Sequence, residues 1–259
     1  VFDVLSRKGV GWRIYESQPS VTMLRMFARY AGDNTNIVDI ARLQQDISSG
    51  NLPAVAMVEP AMHHFPAGDD HPVADMLQGQ LFLKSVYDQL SAKPALWAKT
   101  LLVITYDEHG GFYDHVVPPV ADVRYHDATG GRQTDGGSGR GSSTGGSAGA
   151  PAQGLFTPYG VRVPTFVVSP WVPAGRGPRI TLDHCSILKT ILARFCPTER
   201  PFLSDRVNAS NSLNAFLSET APRLAQVPPP PGIPVPTRGA AERVGKLTTQ
   251  PISQAQMAD

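Results

Sequence analysis

Tyr106 to His115 reads YDEHGGFYDH and directly follows LLVIT, an unbroken apolar run. Asp107 and Glu108 are adjacent carboxylates, and like charges raise one another's pKa unless a cation or a proton separates them. A divalent metal ion would resolve that conflict and would polarise a phosphoryl oxygen. His109 stands beside the pair, and Gly110 and Gly111 let the chain turn tightly or approach a ligand. A plainer reading also stands, because strand-end carboxylates can simply cap a helix. Asp114 and His115 fit a loop hydrogen bond better than a direct part in chemistry.

A second polar cluster follows VAMVE: Glu59, His63, His64, Asp69, Asp70 and His71. Histidine protonates leaving groups or pairs with phosphate near neutral pH, and His71 is the candidate for that part; the alternative is an ordinary polar surface loop. His184 follows Asp183 at the start of a later helix, where a phosphate could meet free backbone N–H groups. It serves equally well there as a packing or hydrogen-bonding residue. The chain has no CxxC or HExxH zinc pattern and no GxxxxGK[ST] phosphate loop.

These residues need a frame, and the apolar pattern supplies one. VAMVE (Val55 to Glu59), LLVITY (Leu101 to Tyr106) and PTFVVS (Pro164 to Ser169) read as strands covered on both faces, because none alternates with polar residues. In open parallel sheets, ligands collect outside the carboxyl ends of the strands. A helix is expected over Val73 to Leu90, with Leu83, Val86, Tyr87 and Leu90 on one face and Asp70 and Asp75 near its start. Another follows Asp183 as N-cap, with Leu188, Ile191, Leu192 and Phe195 as its stripe and Pro197 as its stop. VAMVE, helix and LLVITY together predict a parallel crossover and an α/β/α sandwich.

Composition narrows the classes further. With 259 residues, 41% hydrophobic, the chain can bury a sizeable core. Its formal charge of +1, with no Lys/Arg block, gives no sign of a nucleic-acid-binding surface. No apolar run approaches the roughly 18 to 20 residues of a membrane span. Cys185 and Cys196 fall on one helical pattern about 16 Å apart, beyond the roughly 4 to 7 Å of a disulfide. Residues 130–150 hold nine glycines in 21 positions and almost nothing apolar, which marks an insertion. PPPPGIPVP favours extended polyproline conformation. The expected organisation is residues 1–222 as one domain portion carrying insertion 130–150, then a Pro-rich tail over 223–259.

Taken together, VFDVLSRKGVGWRIYE, NLPAVAMVEP, GDDHP, WAKTLLVITYDEHGGFYDHVVPP, YGVRVPTFVVSPWV and LDHCSILKTILARF occur in an order that resembles the bacterial phosphoesterase family of non-haemolytic phospholipases C and related acid phosphatases. The match runs over roughly residues 1 to 215, and the Trp97 to Pro119 block is its most specific part. The resemblance implies an α/β alkaline-phosphatase-like three-layer α/β/α fold with a largely parallel sheet, here incomplete. It implies a divalent metal ion of unknown identity held in part by Asp107 and Glu108, with His71 contacting phosphate or assisting the leaving group and His109 meeting substrate. The role of His184 stays open. The implied partner is a phosphate ester or phospholipid, with transient membrane-surface contact, in a periplasmic or secreted protein.

Family members also carry an acidic-Asn motif of the ENxSFDH kind and, further on, a Ser or Thr nucleophile; neither segment is found here. Ser20, Thr22 and the hydroxyls of the Gly-rich stretch do not replace it on motif grounds. The chain begins at Val1 in what resembles the middle of the family domain, so it reads as an excised piece expected to turn over little substrate alone. Phospholipase C-like phosphodiester hydrolysis by the whole protein is the leading expectation. Acid phosphomonoesterase activity and an inactive binding or accessory domain are the alternatives. Exposed apolar surface near the site would favour the phospholipid.

Overall fold

The computed structural model describes residues 1–19, 22–62, 68–72, 74–119, 125–126, 132–133, 159–175, 177–199 and 202–224. They fall into two compact units, one built from Val1–Glu59 and Gln89–Leu224, the other containing Pro60–Asp88.

The first unit opens with helix α1 (Phe2–Arg7), whose Asp3 and Arg7 complement the helix dipole. Gly9, at φ +66°, turns the chain toward β1 (Trp12–Glu16). β1 is the centre of a parallel sheet, flanked by β2 (Ile37–Asp39) and β3 (Val55–Glu59). Successive strand residues face opposite sides, and the two faces of β1 have different partners. Trp12 and Ile14 join Val4, Leu5, Leu192 and Phe202 in the main apolar core. Tyr15 and Arg13 face helix α2 (Ala41–Ser49), where the buried Asp46 accepts from both of them and from Arg42 Nε at 2.8 Å. Helices therefore cover both faces of β1.

Helix α3 (Met76–Ser91) begins three residues later than the apolar pattern predicts; Asp75 accepts from Leu77 N at 3.0 Å at its start, and Val86 and Leu90 are buried. The short α4 (Pro94–Trp97) leads into β4 (Leu102–Thr105). The two-residue strands β5 (Tyr125–His126) and β6 (Arg132–Gln133) pair antiparallel. β7 (Thr165–Val168) pairs with β4, also antiparallel, from Leu102↔Val168 to Thr105↔Thr165. α5 (His184–Phe195) starts at a reciprocal capping box between Asp183 and Ser186, and α6 (Asp205–Ala209) packs against it.

Two expectations are corrected here. β3 and β4 are not neighbours in a parallel crossover: β3 pairs with β1, and β4 with β7. Sequence adjacency through a helix does not choose the hydrogen-bonding partner, and the strand that β3 does choose contains a charged Arg13. Nor are the three apolar strands covered on both faces. Ala56, Met57, Thr165 and Phe166 are exposed and all of β4 is only partly buried, because β3 lies at an edge and β4 and β7 pair only with each other. Cys185 and Cys196 are free thiols, as their spacing requires. Most of the Gly-rich stretch and nearly all of the Pro-rich tail lie outside the described residues.

Candidate active site

β4 ends at Thr105, and the polar decapeptide leaves the strand there, held at three places. At its entry, His184 Nε2 lies 2.8 Å from the carbonyl oxygen of Tyr106. A carbonyl only accepts, so this nitrogen carries the proton. The capping box fixes His184 in turn, with Asp183 Oδ1 accepting from Ser186 N at 3.0 Å. His184 thus steadies the backbone one position before Asp107.

At its centre, the chain reverses over Gly110 and Gly111, both at positive φ (+67° and +78°), and Phe112 N–H donates to the His109 carbonyl at 3.1 Å. Two consecutive positive-φ residues are what a type I′ turn requires, and glycine adopts that backbone without strain. Nothing lies within 4 Å of a Cβ placed on Gly111, so the demand for glycine there is conformational rather than steric.

At its exit, Asp114 is gripped by Arg162, 48 residues away. Arg162 Nε donates to Oδ2 at 2.7 Å and Nη2 to Oδ1 at 2.8 Å, while Val116 N–H adds a bond to Oδ1 at 3.1 Å. The Arg162 hydrogen bonds outweigh desolvation and hold this carboxyl well below the usual carboxylate range. Tyr159 N–H donates to the Pro119 carbonyl at 2.8 Å, so the two chain segments also meet further out.

Between these anchors Asp107, Glu108 and His109 are all exposed. Asp107 Oδ1 accepts from Glu108 N–H at 3.0 Å and Glu108 Oε2 from Gly110 N–H at 2.6 Å. These bonds set each carboxylate and leave Oδ2 and Oε1 as donors to a cation. His109 Nδ1 sits 3.1 Å from the Phe112 carbonyl and so carries a proton, which leaves Nε2 as the nitrogen with the lone pair. Hard oxygen donors suit a hard divalent ion. Two carboxylates are only part of a ligand set, however, and among the described residues no group of three or more His, Cys, Asp or Glu side chains could hold a metal.

His71 belongs to the second unit. It is exposed, with Nδ1 2.6 Å from the Pro72 carbonyl. His63 and His64 lie outside the described residues. Thr22 is 1% exposed, too buried to attack a substrate.

Sequence reasoning missed Arg162 altogether, and it missed an acidic edge on the parallel sheet. Glu16 lies in register with Asp39 on one side and Glu59 on the other, at the carboxyl ends of three strands. Glu16 is paired with Arg25 at 2.9 Å. Glu59 is buried beside it, with no hydrogen-bond partner for Oε2 among the described residues. Burial, and then the charge of Glu16, push its pKa up. The run of acidic strand ends would have been visible in the sequence had WRIYE and IVD been read as strands.

Against known proteins, a model described as the phosphoesterase family matches residues 1–196. The chain belongs to the phosphoesterase family, and its mixed α/β fold with a largely parallel sheet accords with that membership. Non-specific phospholipase C4 of Arabidopsis thaliana is 33% identical over 236 residues, which cover 86% of this chain and 40% of that protein. Non-hemolytic phospholipase C of Burkholderia pseudomallei is 37% identical over 155 residues, 59% of this chain and 20% of its own length. The protein of the same name in Pseudomonas aeruginosa is 30% identical over 232 residues, 81% and 32%. The chain therefore spans well under half the length of these relatives, and the resemblance first drawn to bacterial proteins extends to plants.

Proposed function

We propose that the whole protein hydrolyses phosphate esters with the help of a divalent metal ion, in the manner of a phospholipase C, and that this chain contributes the Asp107–Glu108 part of the centre. The observation that carries the reading is the exposed carboxylate pair on a turn pinned at entry, centre and exit, in a chain whose relatives are named phospholipases C. A metal ion held there would polarise the phosphoryl oxygen. The chain's own residues do the rest of the work available to them. Asp107 and Glu108 offer charge and fixed oxygens. His109 Nε2, which holds the lone pair, can take up a proton and pass it to a departing alkoxide; His71 is the other candidate for that part. In the net reaction, water adds its oxygen to phosphorus, the bond from phosphorus to the alcohol breaks, and the alcohol leaves with a proton.

Kinetics of the whole protein on a choline phosphodiester and on a simple phosphomonoester separate the alternatives. The expected result is metal-dependent turnover of the diester in clear excess over the monoester. The reverse preference would make it an acid phosphomonoesterase. No turnover of either with metal supplied would favour a binding or accessory domain.

The Asp114–Arg162 clamp leads to a separate prediction. Removing a group that orients metal ligands typically costs about 10- to 100-fold in activity or metal affinity. Arg162→Ala and Asp114→Asn are each expected to lower kcat in that range, and the double variant to be no worse than either single one. Arg162→Lys should not restore activity, because lysine lacks the two-pronged fork. Additive losses would show that the two residues act separately.

A further inference from the structure

The turn that bears the carboxylates also holds large apolar side chains out in water. Phe112 is 67% exposed, Tyr113 91% and Val117 85%. Scattered exposed hydrophobics are ordinary, but these three fall within six residues on a segment that cannot fold them inward. Phe112 is tied at both its N–H and its carbonyl to His109, Asp114 is clamped by Arg162, and Pro118 and Pro119 follow Val117. The backbone is fixed while its apolar groups project. Phe and Tyr are the side chains that settle at the boundary between lipid headgroups and acyl chains.

Charge narrows the partner. The exposed charges of the turn are Asp107 and Glu108, Arg162 is engaged with Asp114, and the chain has a formal charge of only +1. Among the described residues the turn thus offers no unpaired Lys or Arg to draw it to anionic lipid, so apolar insertion has to carry the contact, which suits a zwitterionic surface. We propose that Phe112, Tyr113 and Val117 form a tip that seats this loop in a zwitterionic phospholipid surface, bringing the headgroup to Asp107 and Glu108. The choice of partner rests on the phospholipase reading; the presentation of the tip does not.

Cosedimentation of the 259-residue chain with phosphatidylcholine vesicles tests this without any need for turnover. The wild-type chain is expected to bind, and Phe112→Ser, Tyr113→Ser and Val117→Ser combined to lower its partition at least about tenfold. Adding phosphatidylserine to the vesicles should not strengthen binding. Should the triple variant fail to fold, Tyr113→Trp gives a second reading: its fluorescence, taken as the difference from the wild-type spectrum, should shift to the blue on phosphatidylcholine vesicles. No wild-type binding, equal binding by the triple variant, a difference spectrum of Tyr113→Trp that stays unshifted, or binding that requires anionic lipid would each overturn the proposal. A whole protein that binds vesicles through these residues yet hydrolyses no phosphate ester would instead overturn the activity, leaving the surface in place. One that hydrolyses a soluble diester but ignores vesicles would do the opposite.

Discussion

Asp107→Asn and Glu108→Gln are each expected to lower kcat/KM of the whole protein for a phosphodiester by about 10²- to 10³-fold. That follows if removing one charged ligand takes away roughly 3 to 4 kcal/mol of transition-state stabilisation. Both substitutions keep the side chain's shape. Each amide retains a carbonyl oxygen that can accept the turn's own N–H, from Glu108 in one case and Gly110 in the other. What they remove is charge. Both residues are exposed, so stability should stay within about 0.5 kcal/mol of wild type. Raising the metal concentration should recover part of the lost rate in each single variant, since a weakened site fills by mass action. If the carboxylates serve only as local caps, activity holds in both variants, because each amide keeps the oxygen that accepts the turn's N–H.

Asp46→Ala should have the largest effect on the fold, a loss of about 3 to 5 kcal/mol in a urea unfolding experiment. Asp46 is 1% exposed and accepts from Tyr15 Oη at 2.7 Å, from Arg42 Nε at 2.8 Å and from Arg13. Its removal leaves the Tyr15 hydroxyl, itself fully buried, without its acceptor and the Arg13 guanidinium without its counter-charge. Burial pushes this carboxyl up, but the bonds from Arg42, Tyr15 and Arg13 outweigh burial and hold its pKa below the ordinary value. The phenol answers with a pKa pushed up to about 12, chiefly by burial and then by its bond to Asp46.

A carboxyl with a depressed folded pKa contributes stability that is complete above its unfolded value, about 4, and is lost as pH falls through the folded one. Wild-type stability should therefore decline below about pH 4, and the Asp46→Asn variant should lose less over the same interval. Glu59 acts in the other direction. Its raised pKa means that folding favours the protonated form, so its cost is present above the folded pKa and relieved in acid. Glu59→Gln should accordingly raise stability at neutral pH. A loss there would mean that Glu59 has a cation partner.

What could be read from the sequence was local. The Asp183 cap and the stripe ending in Leu192 and Phe195 predicted α5 because cap and stripe lie within one helix. LLVIT predicted β4, and the step from apolar strand to YDEHGG predicted the turn, because glycine at those two positions is a backbone requirement. What could not be read depended on distant partners. Arg13 disguises β1 as a polar segment; its charge is balanced by Asp46, 33 residues on. Arg162 sits across the Gly-rich stretch from the Asp114 it grips. The pairing of β3 with β1 rather than β4 was equally hidden, since a strand's own residues report that it will be covered and not by which neighbour.

If Asp107 and Glu108 serve as metal ligands in phosphoester hydrolysis, turnover must depend on the metal and on both carboxylates. The whole protein, stripped by a chelator and dialysed, should lose diester turnover and regain it on titration with a divalent cation. The Asp107→Asn/Glu108→Gln double variant should regain almost none at the same concentrations. Full turnover by the stripped wild-type protein, or recovery of the double variant to the wild-type rate, would contradict the account.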